Sequence, residues 1–213
     1  LHGARREPAP GQVAVVAGPG LPGAEAEAAL IAATHGIPAP LVGADATHER
    51  VTDAIRGARL AHLGVHGTVR ADNPLFSALT LADGPLTVYD LERLDRGADT
   101  VVIAACDAGR NVVLAGDELL GFSSAFLARD TRHVVASVVP IPDAETAPIM
   151  IALHRSLARG EPVAAALAGA QSGVDPSDAA AVAAAAGFVC VGVGVSPVAP
   201  ASAGMPASAG MPA

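Results

Sequence analysis

Leu60-Ala61-His62-Leu63-Gly64-Val65-His66-Gly67 and Thr100-Val101-Val102-Ile103-Ala104-Ala105-Cys106-Asp107-Ala108-Gly109 are two apolar runs, each ending in a potentially catalytic side chain with glycine close behind. A continuous apolar run of this length is the pattern of a parallel strand buried on both faces. Such strands deliver functional groups to the carboxyl edge of an open sheet. One run delivers an imidazole and the other a thiol. The 40 residues between His66 and Cys106 (106 − 66) leave room for one crossover, so the two strand ends are expected to be neighbours at that edge.

The rest of the chain fits around these two runs. Gln12 to Ala17 reads as a strand and Pro22 to Thr34 as a helix opening on a proline. Pro40 to Val42 reads as a short strand, and Thr47 to Arg56 as a helix capped by Thr47. Between the two runs, Ser77 to Leu81 and Leu86 to Tyr89 flank Asp83-Gly84-Pro85, which predicts a hairpin, and a short helix is expected to start at Tyr89-Asp90. Beyond Cys106, helices are expected over Glu118 to Leu127, Asp143 to Leu157 and Pro162 to Gln171, with strands over His133 to Val139 and Gly187 to Val193. Strands alternating with helices predict an α/β fold, a three-layer sandwich with a mainly parallel central sheet flanked by helices. Residues 1–12 read as a lead-in from a longer parent, 13–196 as one domain, and 197–213 as a low-complexity tail in which Ala201-Ser202-Ala203-Gly204-Met205-Pro206 recurs unchanged at 207–212.

Composition narrows the function classes. In 213 residues, 13 basic side chains against 21 acidic ones give a net charge of −8, which repels polyphosphate, so nucleic acid is not an expected partner. The two cysteines, Cys106 and Cys190, both lie in strand-like runs, which predicts reduced thiols and a cytoplasmic protein, with Cys190 a core residue. No apolar run approaches the roughly 18–20 residues of a bilayer span, and the start Leu1-His2-Gly3 lacks the order of a signal peptide, so no membrane contact is expected.

A cysteine nucleophile needs a base to raise its thiolate fraction and hydrogen-bond donors for the developing oxyanion. His66 can supply the first, and the backbone N–H groups of Gly67 and Cys106 the second. On the residues alone the alternative stays open, in which Cys106 is a small buried hydrophobe and His66 caps a turn. No cofactor or metal is called for. His62 and His66 are four residues apart, which on a strand is roughly 13 Å, too far to share one ion.

Further motifs extend the pattern. The His-Gly strand end is followed by Asn73-Pro74-Leu75-Phe76-Ser77, Leu79-Thr80-Leu81-Ala82-Asp83-Gly84, Ala105-Cys106-Asp107-Ala108-Gly109, Gly116-Asp117-Glu118-Leu119-Leu120-Gly121 and Phe126-Leu127-Ala128. Val134 to Asp143, Leu157 to Pro162, Ala165-Ala166-Leu167 and Ala186 to Gly192 continue the series. In that order they resemble the CHAT domain, a caspase-like cysteine peptidase module of the separase-related clan, often joined to TPR-type helical repeats. The resemblance runs from about Val13 to Gly194. It implies a cysteine endopeptidase with His66 as general base and Cys106 as nucleophile, acting on protein or peptide substrates as the protease module of a larger bacterial signalling or stress-response protein that also carries TPR-type repeats. It further implies that Asp143 occupies the place where relatives hold an acid in the pocket for the residue before the cut, favouring Arg or Lys there. Asp107 is a second pocket candidate, and a helix-capping Asp is the plain alternative for Asp143. The chain departs from the family pattern at Val139, which stands where a Trp is usual.

Two rivals come from other classes. One is an inactive CHAT-like scaffold that binds partner proteins. The other is a dinucleotide-dependent oxidoreductase, because Gly18-Pro19-Gly20-Leu21-Pro22-Gly23 spells GxGxxG with Asp45 22 residues beyond Gly23, although Pro19 and Pro22 have no N–H to offer a pyrophosphate.

Overall fold

The computed structural model describes residues 11–68, 70, 73–104, 116–139, 141 and 143–193. Strand β1 (Val13–Ala17) leads into α1 (Pro22–His35), β2 (Leu41–Val42) and α2 (His48–Ile55). Next come β3 (Leu60–Gly64), the short β4 (Gly67–Thr68), the hairpin of β5 (Ala78–Leu81) and β6 (Gly84–Thr87), and α3 (Val88–Glu92). The chain continues through β7 (Thr100–Ile103), α4 (Gly116–Leu127), β8 (His133–Ser137), α5 (Asp143–Ala158), α6 (Val163–Ser172), α7 (Ala179–Ala186) and β9 (Phe188–Gly192).

Six strands form one sheet in the order β2-β1-β3-β7-β8-β9, parallel except for β9, which returns antiparallel along β8. This is the expected mainly parallel sandwich. Alternation along the strands divides the core in two. Ala14, Val16, Ala61, Leu63, Val101 and Ile103 face α2, α3, α4 and the hairpin, while Val13, Val15, Leu60, Val102 and Val135 face α1, α5, α6 and α7. Each Leu or Ile fully buried in these layers stabilises the fold by about 1.5–3 kcal/mol. No helix among the described residues is long and apolar enough to cross a membrane.

Local chemistry sets the element ends. Thr47 caps α2 as expected, its hydroxyl accepting from the Arg50 N–H. Gly36 closes α1 in the left-handed conformation (φ 66°), its N–H reaching the carbonyls of Ala32 and Ala33. The hairpin turn differs from the expectation: it falls at Ala82-Asp83, and Gly84 and Pro85 belong to β6. The Asp83 carboxylate accepts from the His48 N–H at 2.8 Å, which anchors the turn on the first residue of α2 and moves it one residue toward the N-terminus. Pro85 is tolerated because β6 is the edge strand of the small β4-β5-β6 sheet. Helix α7 was not anticipated. Its run of alanines carries no periodic pattern, yet Asp178 caps it by accepting from the N–H groups of Ala180 and Ala181, and Gln171 ties it to β9 by donating to the carbonyls of Ala185 (2.8 Å) and Phe188 (2.9 Å).

The end of β9 depends on glycine. Gly192 pairs with His133 at φ 137°, and a β-carbon there would collide with the Arg132 carbonyl. Gly192→Ala is expected to destabilise the fold by about 2–4 kcal/mol. Urea denaturation should show a lowered midpoint at unchanged slope.

Candidate active site

The carboxyl ends of β1, β3 and β7 meet at one edge of the sheet. Strand β3 pairs with β1 from Val13↔Leu60 to Ala17↔Gly64, and with β7 from Ala61↔Val101 to Leu63↔Ile103. One further bond on each side, Gly18 N–H to Gly64 O (2.8 Å) and Ala104 N–H to Leu63 O (3.0 Å), extends the ladders beyond the assigned strands. Strand β3 therefore stops at Gly64, two residues short of its expected end at His66. The reason is the small sheet: the Thr80 N–H donates to the His66 carbonyl at 2.8 Å and turns the chain into β4.

His66 is thus held by its backbone at the sheet edge, half-buried. The β1–α1 turn runs against its ring. Gly20 adopts φ 77°, and a β-carbon there would lie 3.9 Å from His66 Nε2. Gly18 is packed closely as well, since a β-carbon would stand 3.0 Å from the Thr80 carbonyl and 3.1 Å from Val65 Cγ1. That packing, with Pro19 in the turn, disfavours the dinucleotide reading, and Asp45 is engaged in an ion pair with Arg50.

Gly67 faces Leu79 in a pair whose flanking bond runs from Thr80 N–H to His66 O. This is the non-hydrogen-bonded register, so the Gly67 N–H points away from β5 and is not used in that ladder. Such a group fits an oxyanion donor. On the neighbouring strand, Ala104 is buried where β7 ends. Counted from the paired residues Leu63 and Ile103, His66 and Cys106 each stand three residues further on (66 − 63 and 106 − 103). Cys106 and Asp107 lie outside the described residues. Asp143 is the first residue of α5, which puts it in the first turn, not at the cap, and its side chain lies outside what the structure describes.

The remaining candidates go elsewhere. Cys190 is a free thiol on β9, half-buried against the core layer of α5–α7, and burial pushes its pKa up. His62 points away from the edge into the layer beneath α1, where its Nε2 lies 2.9 Å from Glu27 Oε1 and its Nδ1 lies 3.1 Å from His154 Nε2. Glu27, His62 and His154 are all buried. The sequence signal for this cluster is a Glu and a His within the buried stripes of α1 (Glu27 with Ala28 and Ile31) and α5 (His154 with Met150, Leu153 and Leu157).

No curated protein matches the chain. The CHAT domain, a caspase-like peptidase-related family, matches residues 5–193, and the six-stranded, mainly parallel sheet between helices is consistent with a caspase-like sandwich. The match takes in every described strand and helix from β1 to β9, including the edge that carries His66, and so the chain belongs to the CHAT domain family.

Proposed function

We propose that the protein is a cysteine endopeptidase in which Cys106 is the nucleophile and His66 its base. The observation that supports this most is the β3–β7 register, in which the residues three beyond the last Leu63↔Ile103 pair are an imidazole and a thiol. The His66 imidazole takes the thiol proton, and the Cys106 sulfur bonds to the carbonyl carbon of the scissile peptide. The N–H groups of Gly67 and Cys106 stabilise the oxyanion. The C–N bond breaks as the His66 imidazolium protonates the departing amine. Water, deprotonated by His66, then attacks the thioester, and the thiol is regenerated with release of the acid. No cofactor enters this cycle.

Asp143, or failing it Asp107, faces a basic residue before the cut, and the substrate is a protein or peptide. The module works in the cytoplasm, where the Cys190 thiol stays reduced, alongside TPR-type repeats of its parent chain. An inactive scaffold on the same fold is the contrasting outcome of the tests below.

Iodoacetamide at pH 7.5 should alkylate Cys106 at least tenfold faster than Cys190, whose thiol is held protonated by burial, and His66→Ala should remove most of that difference. Equal rates at the two cysteines in the folded protein would sink the dyad. Incubated with a positional-scanning peptide library, the parent protein should cleave after Arg or Lys and its Cys106→Ala variant should not. Asp143→Ala should lower cleavage after basic residues by roughly 10- to 100-fold, the worth of one charge-assisted hydrogen bond. Cleavage retained in Cys106→Ala would overturn Cys106 as the nucleophile, and no cleavage by the parent would favour the scaffold.

A further inference from the structure

Five ionisable side chains run in series through the layer between the sheet and its α1/α5 face. Arg59 Nη2 lies 3.5 Å from His35 Nδ1, His35 Nε2 lies 3.0 Å from His154 Nδ1, His154 Nε2 lies 3.1 Å from His62 Nδ1, and His62 Nε2 lies 2.9 Å from Glu27 Oε1. The rings meet nearly edge-on, at interplanar angles of 86° for His35 with His154 and 75° for His62 with His154. His154 has no exposed surface and His62 only 1%. The series joins three elements: α1 contributes Glu27 and His35, β3 contributes His62 with Arg59 just before it, and α5 contributes His154.

The chemistry of the two ends fixes the polarity of the whole chain. A guanidinium only donates, so His35 Nδ1 accepts and its proton sits on Nε2. His154 Nδ1 then accepts and its Nε2 donates, and His62 follows in the same sense, so that its Nε2 meets the Glu27 carboxylate in a 2.9 Å contact that is not aligned as a hydrogen bond and leaves Glu27 Oε1 without a hydrogen-bond partner among the described residues. Each ring is neutral and carries its proton on Nε2. An imidazole has no spare lone pair in this arrangement. A second proton on any ring sets two N–H groups face to face, either at the neighbouring ring or, after tautomer shifts along the chain, at Arg59.

We propose that the Arg59–His35–His154–His62–Glu27 series is an acid-sensitive latch, holding α1 and α5 on β3 while all three imidazoles are neutral and releasing them when the series takes up a proton. On this face of the sheet β8 adds the buried His133 and β9 the half-buried Cys190, and Arg59 takes part in further interactions. The β1 strand and helices α6 and α7 bring no titratable side chain, and α1 adds only the exposed Glu25. Helix α5 adds the exposed Arg155, with Asp143 and Glu145 near its far end. Burial, with Arg59 and His62 adding to it, lowers His35 to about 4, and burial beside His62 and His35 holds His154 well below 6.5.

The direction of the pH dependence follows from linkage. A histidine whose pKa is lower in the closed state takes a proton more readily once opened. Its contribution to closure is therefore complete above pH 6.5 and is lost as the pH falls, over the window from 6.5 to about 4 for His35. Each such ring multiplies the opening constant by up to about tenfold per pH unit.

The test uses the whole chain and reads the latch directly. Long-range ¹⁵N–¹H spectra of the imidazoles at pH 7.5 should show His35, His62 and His154 as neutral Nε2–H tautomers. A Nδ1–H tautomer or an imidazolium at any of the three would overturn the proposal. Hydrogen exchange, corrected for its intrinsic pH dependence, should show opening of α5 rising between pH 6.5 and 4.5 while α2 stays protected. Glutamine can accept and donate in the same sense without titrating. His154→Gln and His35→Gln should therefore each flatten the rise by up to about tenfold per pH unit, and variants that keep the wild-type slope would refute the latch. If both variants fail to fold, the wild-type spectra alone decide.

Discussion

The in-register parallel pairing of β1, β3 and β7 is the constraint on which the candidate site rests. Both faces of these strands are buried, so a slip of one residue would move Leu63 and Val101 out of one core layer and Leu60 and Val102 out of the other. The cost would fall on both layers at once. The register is therefore fixed by burial along the whole length of the strands, and the groups at their carboxyl ends inherit that precision. The Thr80 N–H then catches the His66 carbonyl, and Asp83 fastens the hairpin to the first residue of α2. The imidazole backbone is thus tied to both sheets.

Much of this was legible in the sequence for a simple physical reason: parallel strands buried on both faces are apolar without interruption, and this chain has few other uninterrupted apolar runs of β-branched residues. Val13–Ala17, Thr100–Ile103 and the Val134-Val135-Ala136 centre of β8 stand out in that way, while Leu60–Gly64 is apolar but for His62 and has no β-branched residue. The features that were missed obey other rules. The hairpin turn depends on Asp83 accepting from a backbone N–H 35 residues away, which no local turn preference encodes. Helix α7 is a run of alanines and one valine that offers no polar face to set a period, and its signal lies in the capping Asp178. At the site, His66 and Gly67 could be placed from the strand pattern, whereas the bend after Gly64 arises from pairing with β5, a contact between segments that sequence order does not reveal.

The buried polar series was overlooked for a related reason. Taken singly, Glu27 reads as one of several acids on an Ala/Glu-rich helix, His154 as a polar interruption in α5, and His62 as half of a failed metal pair. Each makes sense only in relation to the others. Leaving the His62 or His154 ring unpaired in that layer would cost several kcal/mol, whereas the histidines satisfy one another's ring nitrogens and Glu27 is held in close contact with His62.

Why the core should keep such a series when well-packed hydrophobic residues of similar volume often serve stability as well or better is answered by what surrounds it. The contact layers of α1, α6 and α7 are built largely of alanine: Ala28, Ala32, Ala166, Ala170, Ala184 and Ala185 are buried there, and the whole chain has only four Phe, one Tyr and no Trp. Small, uniform side chains fill space but discriminate poorly between one helix register and another, because sliding an alanine face by a turn exchanges one methyl for the next. Directional hydrogen bonds do not have that degeneracy. A chain with a guanidinium at one end and a carboxylate at the other closes in a single order, with one tautomer per ring, and it closes only when α1, β3 and α5 stand in one relative position. In an alanine-rich layer the polar series supplies the specificity that bulky side chains provide in other cores, and the ionisable character that makes it acid-sensitive follows from the same choice of residues.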